Sequence, residues 1–171
     1  MSIECFNNLE ELEYQGFSYR IWAENEYCTV GFSRLPDLEN KIINTSVMTA
    51  EEIKQAKKKP MYLRDSVNVY IHDWNGCNTY TFTIPAHYDY DGASIPRIFW
   101  RLIGSKENIE YRVAALIHDV ICENHHYVNN NRYFADRVFD CLLKAGGACA
   151  VKRWLMFHTV DNYQKLCGWN K

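Results

Sequence analysis

Alternation of apolar and polar positions is strongest between Ser66 and Pro85, in SVNVYIHDWNGCNTYTFTIP. Val67, Val69 and Ile71 alternate with polar neighbours, Asn75-Gly76 supplies a tight turn, and Tyr80, Phe82 and Ile84 alternate on the way back. That pattern predicts a β-hairpin, ended by Pro85. Upstream, FSYRIWA and YCTVGFS lie between Phe17 and Ser33, are rich in β-branched and aromatic residues, and are separated by polar ENE. They predict two short strands. Thr49 opens TAEEIKQAKKK with Glu52 three residues on, a capping box that starts a short helix.

After Pro96 the apolar spacing becomes helical. IPRIFWRLIG is a short amphipathic segment ending at Gly104, and Ser105 with Glu107 and Asn108 marks the next helix start. Val113, Ala114, Leu116, Ile117 and Val120 recur at helical spacing, until polar NHHYVNNN interrupts them. A second helix runs from about Arg132 to Ala145, with Phe134, Val138, Phe139 and Leu142 on one side and Gly146-Gly147 closing it. A third, AVKRWLMFHTVDNY, follows. The expected architecture is one α+β domain over residues 1–171. An N-terminal antiparallel sheet with a β-hairpin precedes a C-terminal bundle of three or more helices.

Composition narrows the classes. The 171 residues are 47% hydrophobic and 23% charged, as in a globular protein with a real core. A net charge of -2 argues against a nucleic-acid partner, and the one basic run, KQAKKKP, reads as a solvated helix end. No window approaches the length of a transmembrane helix, and the acidic amino terminus lacks the apolar core of a signal peptide. The expected place of synthesis and folding is a cytoplasm. Seven cysteines stand at positions 5, 28, 77, 122, 141, 149 and 167 with no CxxC pair, which points to reduced thiols rather than a structural zinc site.

The chemistry concentrates in ALIHDVICENHHYVNNNRYFADRVFD, Ala115 to Asp140. His118 lies near the apolar stripe of its helix, and Asp119 is turned about 100° away. A buried imidazole needs a partner for each ring nitrogen, and a buried carboxylate needs a cation or several donors. Asp136, one loop and one turn into the next helix, can face back toward His118. A His held by a carboxylate, beside an Asp free to bind a metal, makes a working base. The same three residues can instead form a satisfied polar patch that braces two helices.

A second cluster, HYDYDGASIPR from His87 to Arg97, places Asp89, Asp91 and Gly92 in a loop after a strand, with Ser94 close by. Such a loop can offer oxygens to a hard cation, Ca²⁺ or another divalent ion, or serve as a tight sheet-to-helix crossover. His125-His126 has the look of a metal doublet but suits a solvated loop. His72, His87 and His158 stand alone, and Cys122 suits a small core residue better than a nucleophile.

IPAHYDYDGASIPRIFW, YRVAALIHDVI, NNRYFADRVFDCLLKAGG and the closing WLMFHTVDNY together resemble the domain of unknown function 1353, a family of bacteriophages, prophages and bacteria. The resemblance covers residues 66–169 and implies a phage context, with phage structural proteins as partners and a virion-associated destination, but no activity. A weaker likeness runs to phospholipase A2 enzymes. It implies His118 as base, Asp136 as the acid that orients it, Asp119 as calcium ligand, and Asp91 and Gly92 at the calcium loop, with a lipid or other ester as substrate. An HD-type phosphohydrolase, using His87 with His118-Asp119, is a further enzyme class to weigh. The non-enzyme expectation is a phage virion or accessory protein whose polar residues hold its helices together.

Overall fold

The computed structural model describes residues 11–90 and 109–167 of the chain. Eight strands and four α-helices occur among the described residues. The strands are β1 (Glu11–Tyr14), β2 (Phe17–Glu24), β3 (Cys28–Phe32), β4 (Leu38–Asn40), β5 (Met61–Leu63), β6 (Val67–Asp73), β7 (Asn78–Ile84) and β8 (Asp89–Tyr90). The helices are α1 (Ala50–Lys58), α2 (Ile109–Glu123), α3 (Arg132–Ala145) and α4 (Ala150–Cys167). The strands form a five-stranded antiparallel sheet in the order β1-β2-β3-β6-β7 and a small sheet in the order β4-β5-β8. This is the α+β arrangement read from the sequence. The amphipathic segment 95–104 and the helix start at Ser105 fall outside the described residues.

The hairpin follows its alternation. Val67, Val69 and Ile71 on β6 and Tyr80, Phe82 and Ile84 on β7 are buried, while Thr81 and Thr83 face outward. The register pairs Val69 with Phe82 and Ile71 with Tyr80. Its turn is longer than the two residues expected from Asn75-Gly76. Trp74 to Cys77 form it, and the left-handed backbone is taken by Cys77, φ 50°, not by Gly76. The cause is Asp73, whose Oδ1 accepts from the backbone N–H of Asn75 and of Gly76, each at 3.0 Å. That Asx-type cap holds the chain in a wider loop.

One face of the large sheet packs against the helices. Val30, Phe32, Val69, Ile71 and Phe82 share a continuous core with Leu116, Ile117, Val138, Phe139 and Leu142. The outer face carries Tyr19 and Tyr70, with ring centroids 5.5 Å apart. α3 buries Phe134, Ala135, Val138, Phe139, Cys141, Leu142 and Leu143 along one side, as its spacing foretells. α4 buries less, with Met156 its fully covered residue among those described. Two ion pairs help dock it on α3: Arg153 grips Asp140 through two bonds of 3.0 and 3.2 Å, and Arg132 reaches Asp161 at 2.8 Å.

The polar stretch between α2 and α3 has a structural reason. His125–Val128 make one 3-10 turn, and Tyr127 stacks on Phe82 at 4.5 Å. Asn129 and Asn130 then adopt left-handed backbone, φ 52° and 59°, which asparagine tolerates better than most residues. Asn131 caps α3 by accepting from the Phe134 N–H at 3.0 Å. The three asparagines thus reverse the chain and restart the helix.

The turn cap provides a test. A Cβ at Gly76 would stand 2.5 Å from Asp73 Oδ2 and 2.8 Å from Asn78 Nδ2. Gly76→Ala should displace the Asp73 carboxylate and lower stability by about 1 kcal/mol, read by urea unfolding. A variant as stable as the wild type would contradict this account of the turn.

Candidate functional site

His118 sits on the third turn of α2 with 7% of its surface exposed. Asp136 follows eighteen residues later in the chain, on the second turn of α3, and is 1% exposed. The connection through the asparagine turn brings the two together: His118 Nε2 lies 3.3 Å from Asp136 Oδ1. A carboxylate only accepts, so the ring proton in this pair belongs on Nε2 and the lone pair on Nδ1. Phe139, one turn after Asp136, packs against the imidazole with ring centroids 4.9 Å apart.

Cys122 Sγ lies 3.6 Å from Nδ1 and 3.7 Å from Nε2. A sulfur nearly equidistant from both nitrogens at this range must stand over the ring face. In the ring plane it would collide with a carbon. The contact is therefore sulfur-on-ring packing rather than a hydrogen bond along the Nδ1 lone pair. Nδ1 has no oxygen or nitrogen partner among the described residues. The arrangement disfavours a Cys-His nucleophile and leaves Nδ1 without an in-plane partner among the described residues.

Asp136 has a second partner that the sequence reading missed. Arg132, one turn earlier on α3, donates from Nη1 to Asp136 Oδ2 at 2.9 Å and to Asp161 Oδ1 at 2.8 Å. Lys165 Nζ holds Asp161 Oδ2 at 2.6 Å. The hydrogen bonds from Lys165 and Arg132, against a smaller effect of burial, hold the Asp161 carboxyl below its usual range. The spacing Arg132 to Asp136 is an i, i+4 pair and could have been noticed. Asp161 could not, because nothing in the chain states which helices touch.

Asp119 is half-buried on another face of α2. Its charge reaches Tyr88 and Tyr90, at the start of the small sheet's last strand, and adds to the burial that pushes both hydroxyls well above the ordinary tyrosine range. The Tyr90 hydroxyl is buried with no hydrogen-bond partner among the described residues. Tyr88 donates to Glu123 Oε2 at 2.5 Å, and Lys59 holds Glu123 Oε1 at 3.0 Å, which ties the end of α1 to the end of α2. Arg112 Nη2 donates to Asn40 Oδ1 at 3.1 Å and ties α2 to β4.

The second cluster is only partly described. Asp89 belongs to β8 and pairs with Lys41 at 2.6 Å. Asp91, Gly92 and Ser94 lie outside the described residues. Among the described residues no three His, Cys, Asp or Glu side chains are grouped to hold a metal ion. The isolated histidines stay apart from the site. His72 meets Thr79 Oγ1 at 2.9 Å, His87 stacks on Tyr62, and His158 packs on Trp154. His126 is exposed and lies beside Tyr127. Cys28, Cys77, Cys141 and Cys149 are free thiols. Among the described residues no helix is long and apolar enough to cross a membrane.

Fold and site together define an α+β chain with a buried His-carboxylate dyad shared between two helices. A family model described as Protein of unknown function (DUF1353) matches residues 68–160, more than half of the chain, and the chain belongs to that family. An uncharacterized protein of Sinorhizobium fredii (strain NBRC 101917 / NGR234), y4jT, is 31% identical over 90 residues, 50% of this chain and 25% of that protein. The chain thus spans about a quarter of that relative's length. No solved structure matches the chain.

Glu123 gives this region a pH signature. Burial pushes its carboxyl up, but the hydrogen bonds from Tyr88 and Lys59 together outweigh that and hold it below the usual range. A depressed folded value contributes stability above the unfolded carboxyl's range, about pH 4.3, and loses it as pH falls through the folded value. Glu123→Gln should therefore show a shallower fall in Tm than the wild type between about pH 5 and about pH 3. Parallel curves would contradict the assigned pairing.

Proposed function

We propose that the chain is a hydrolase of esters, lipid or other, in which His118 is the general base and Asp136 orients it. One observation carries the reading: Nε2 of a buried imidazole is tied to a fully buried carboxylate, while Nδ1 has no in-plane partner among the described residues. A water hydrogen-bonded to Nδ1 would lose its proton to that nitrogen as its oxygen attacks an ester carbonyl. Asp136 would steady the resulting imidazolium, and the same proton would then pass to the departing alkoxide. The chemistry needs a base near neutral pH with a fixed tautomer, and the dyad has the geometry for one.

Asp119 is the residue proposed to face a divalent cation such as Ca²⁺, with Asp91, Gly92 and Ser94 as the loop that would complete the site. The described residues alone do not make a cation site, so the base step rests on His118 and Asp136. The phage setting, with a virion-associated destination after synthesis in a host cytoplasm, belongs to the same proposal.

A second reading has its own support. Asp136 is satisfied on both oxygens, and the chain of pairs through Arg132, Asp161 and Lys165 joins α3 to α4. A non-catalytic virion or accessory protein braced by these residues would show such a network. Turnover of carboxylic esters, mixed-micelle phospholipid and phosphodiesters, with and without Ca²⁺, separates the two. An enzyme should lose roughly 100-fold or more of its ester turnover in His118→Gln while remaining folded. Absence of turnover in every assay by a folded wild type would leave the brace.

A further inference from the structure

Arg132 is the residue at which the dyad meets the rest of the molecule. Its Nη1 is shared by two carboxylates, Asp136 Oδ2 at 2.9 Å and Asp161 Oδ1 at 2.8 Å. Asp136 lies on Arg132's own helix, and Asp161 comes from α4. Arg132 keeps about a fifth of its side chain exposed, 22%, whereas the Asp136 side chain keeps 1%. The guanidinium therefore carries the charge compensation of a buried carboxylate out to the edge of the helix bundle.

We infer that Arg132 is a positioning residue for the His118–Asp136 dyad, and that Asp161, on α4, fixes Arg132 in that role. The inference rests on the general-base reading but concerns a separate step, the placing of the proton on Nε2. A carboxylate has two oxygens, and its direction is set only when both are engaged. Arg132 occupies Oδ2, so Oδ1 is turned toward His118. Without the guanidinium, Asp136 would be a buried charge held by a single neutral partner, and it would turn toward other donors. Its line to Nε2 would be lost, and the imidazole could then carry its proton on either nitrogen. Nδ1 would be the basic nitrogen in only part of the molecules.

Asp161 prevents a second failure. An arginine at i, i+4 from a carboxylate has many rotamers, and an isolated pair of this kind is weak. Anchored to Asp161, which Lys165 in turn holds at 2.6 Å, the guanidinium has one place to be. Few charged groups among the described residues face the dyad. Asp136, Arg132, Asp161 and Lys165 come from α3 and α4, and Asp119 and Glu123 lie on other faces of α2 with Tyr88 beside Glu123. On this view α4 contributes part of the site.

Ring-nitrogen NMR of His118 at about pH 8, where a free imidazole is neutral, reads the tautomer directly. The wild type should show one tautomer with the proton on Nε2. Arg132→Gln should show a mixture of both, and Arg132→Lys, which keeps the charge, should restore most of the wild-type pattern. A folded Arg132→Gln protein with unchanged ring shifts would overturn the inference, since a merely structural arginine would lower stability without moving the proton. Should that variant fail to fold, the wild type and Asp161→Asn still decide. The Arg132 side-chain N–H signals should be separate and slow to exchange in the wild type and should average in Asp161→Asn. Averaged signals in the wild type would equally overturn it. A mixed His118 tautomer in the wild type would instead remove the dyad itself, whatever Arg132 does.

Discussion

The Asp136 carboxylate is the constraint around which the helices are arranged. Taking one carboxylate out of water costs several kcal/mol unless charge and hydrogen bonds replace the lost solvent. Here His118 covers Oδ1 and Arg132 covers Oδ2. Each partner imposes a condition. His118 requires α2 to lie against α3, and Arg132 must in turn be met by Asp161 on α4. The apolar residues on the same faces of α2 and α3 supply the driving force for packing, but hydrophobic burial is non-directional. The dyad and its arginine supply the direction.

Neighbouring residues act on the imidazole rather than on the charge. Cys122 lies over the ring face and Phe139 packs beside it, so the ring cannot tilt out of line with Asp136. Asp119, the next residue, leaves this enclosure and turns toward the small sheet, where Tyr88 and Tyr90 feel its charge. Adjacent polar residues on one helix thus serve two environments, one closed and one half-open. The proposed base stands in the first of these, and the acid proposed to face a cation in the second.

Much of this was legible in the chain, and the parts that were not were hidden for distinct physical reasons. The β6–β7 hairpin and the span of α3 were readable because period-two and helical spacing act within a few residues. The pairing of His118 with Asp136 followed from two helices separated by a short polar gap. Arg132 to Asp161 was hidden because it depends on which helices pack together. The strands Leu38–Asn40, Met61–Leu63 and Asp89–Tyr90 were hidden because two or three residues hold no period. The hairpin turn was misjudged because Asn75-Gly76 is a strong local signal, yet Asp73 overrides it through its side chain. Of these, the Arg132–Asp161 pair turned on a contact between distant parts of the chain, whereas the turn was decided by a side chain two residues away.

His118 is proposed as a tethered base with an accessible second nitrogen, and chemical modification reads that accessibility. Diethyl pyrocarbonate acylates an accessible, unprotonated ring nitrogen, and peptide mapping by mass spectrometry locates it. Exposed His126 and His158 serve as internal controls in the same sample. The folded protein should take the label at His118, and Asp136→Asn should take it more slowly. A His118 that stays unlabelled while His126 and His158 react fully would rule out an available base and mark the dyad as a closed brace.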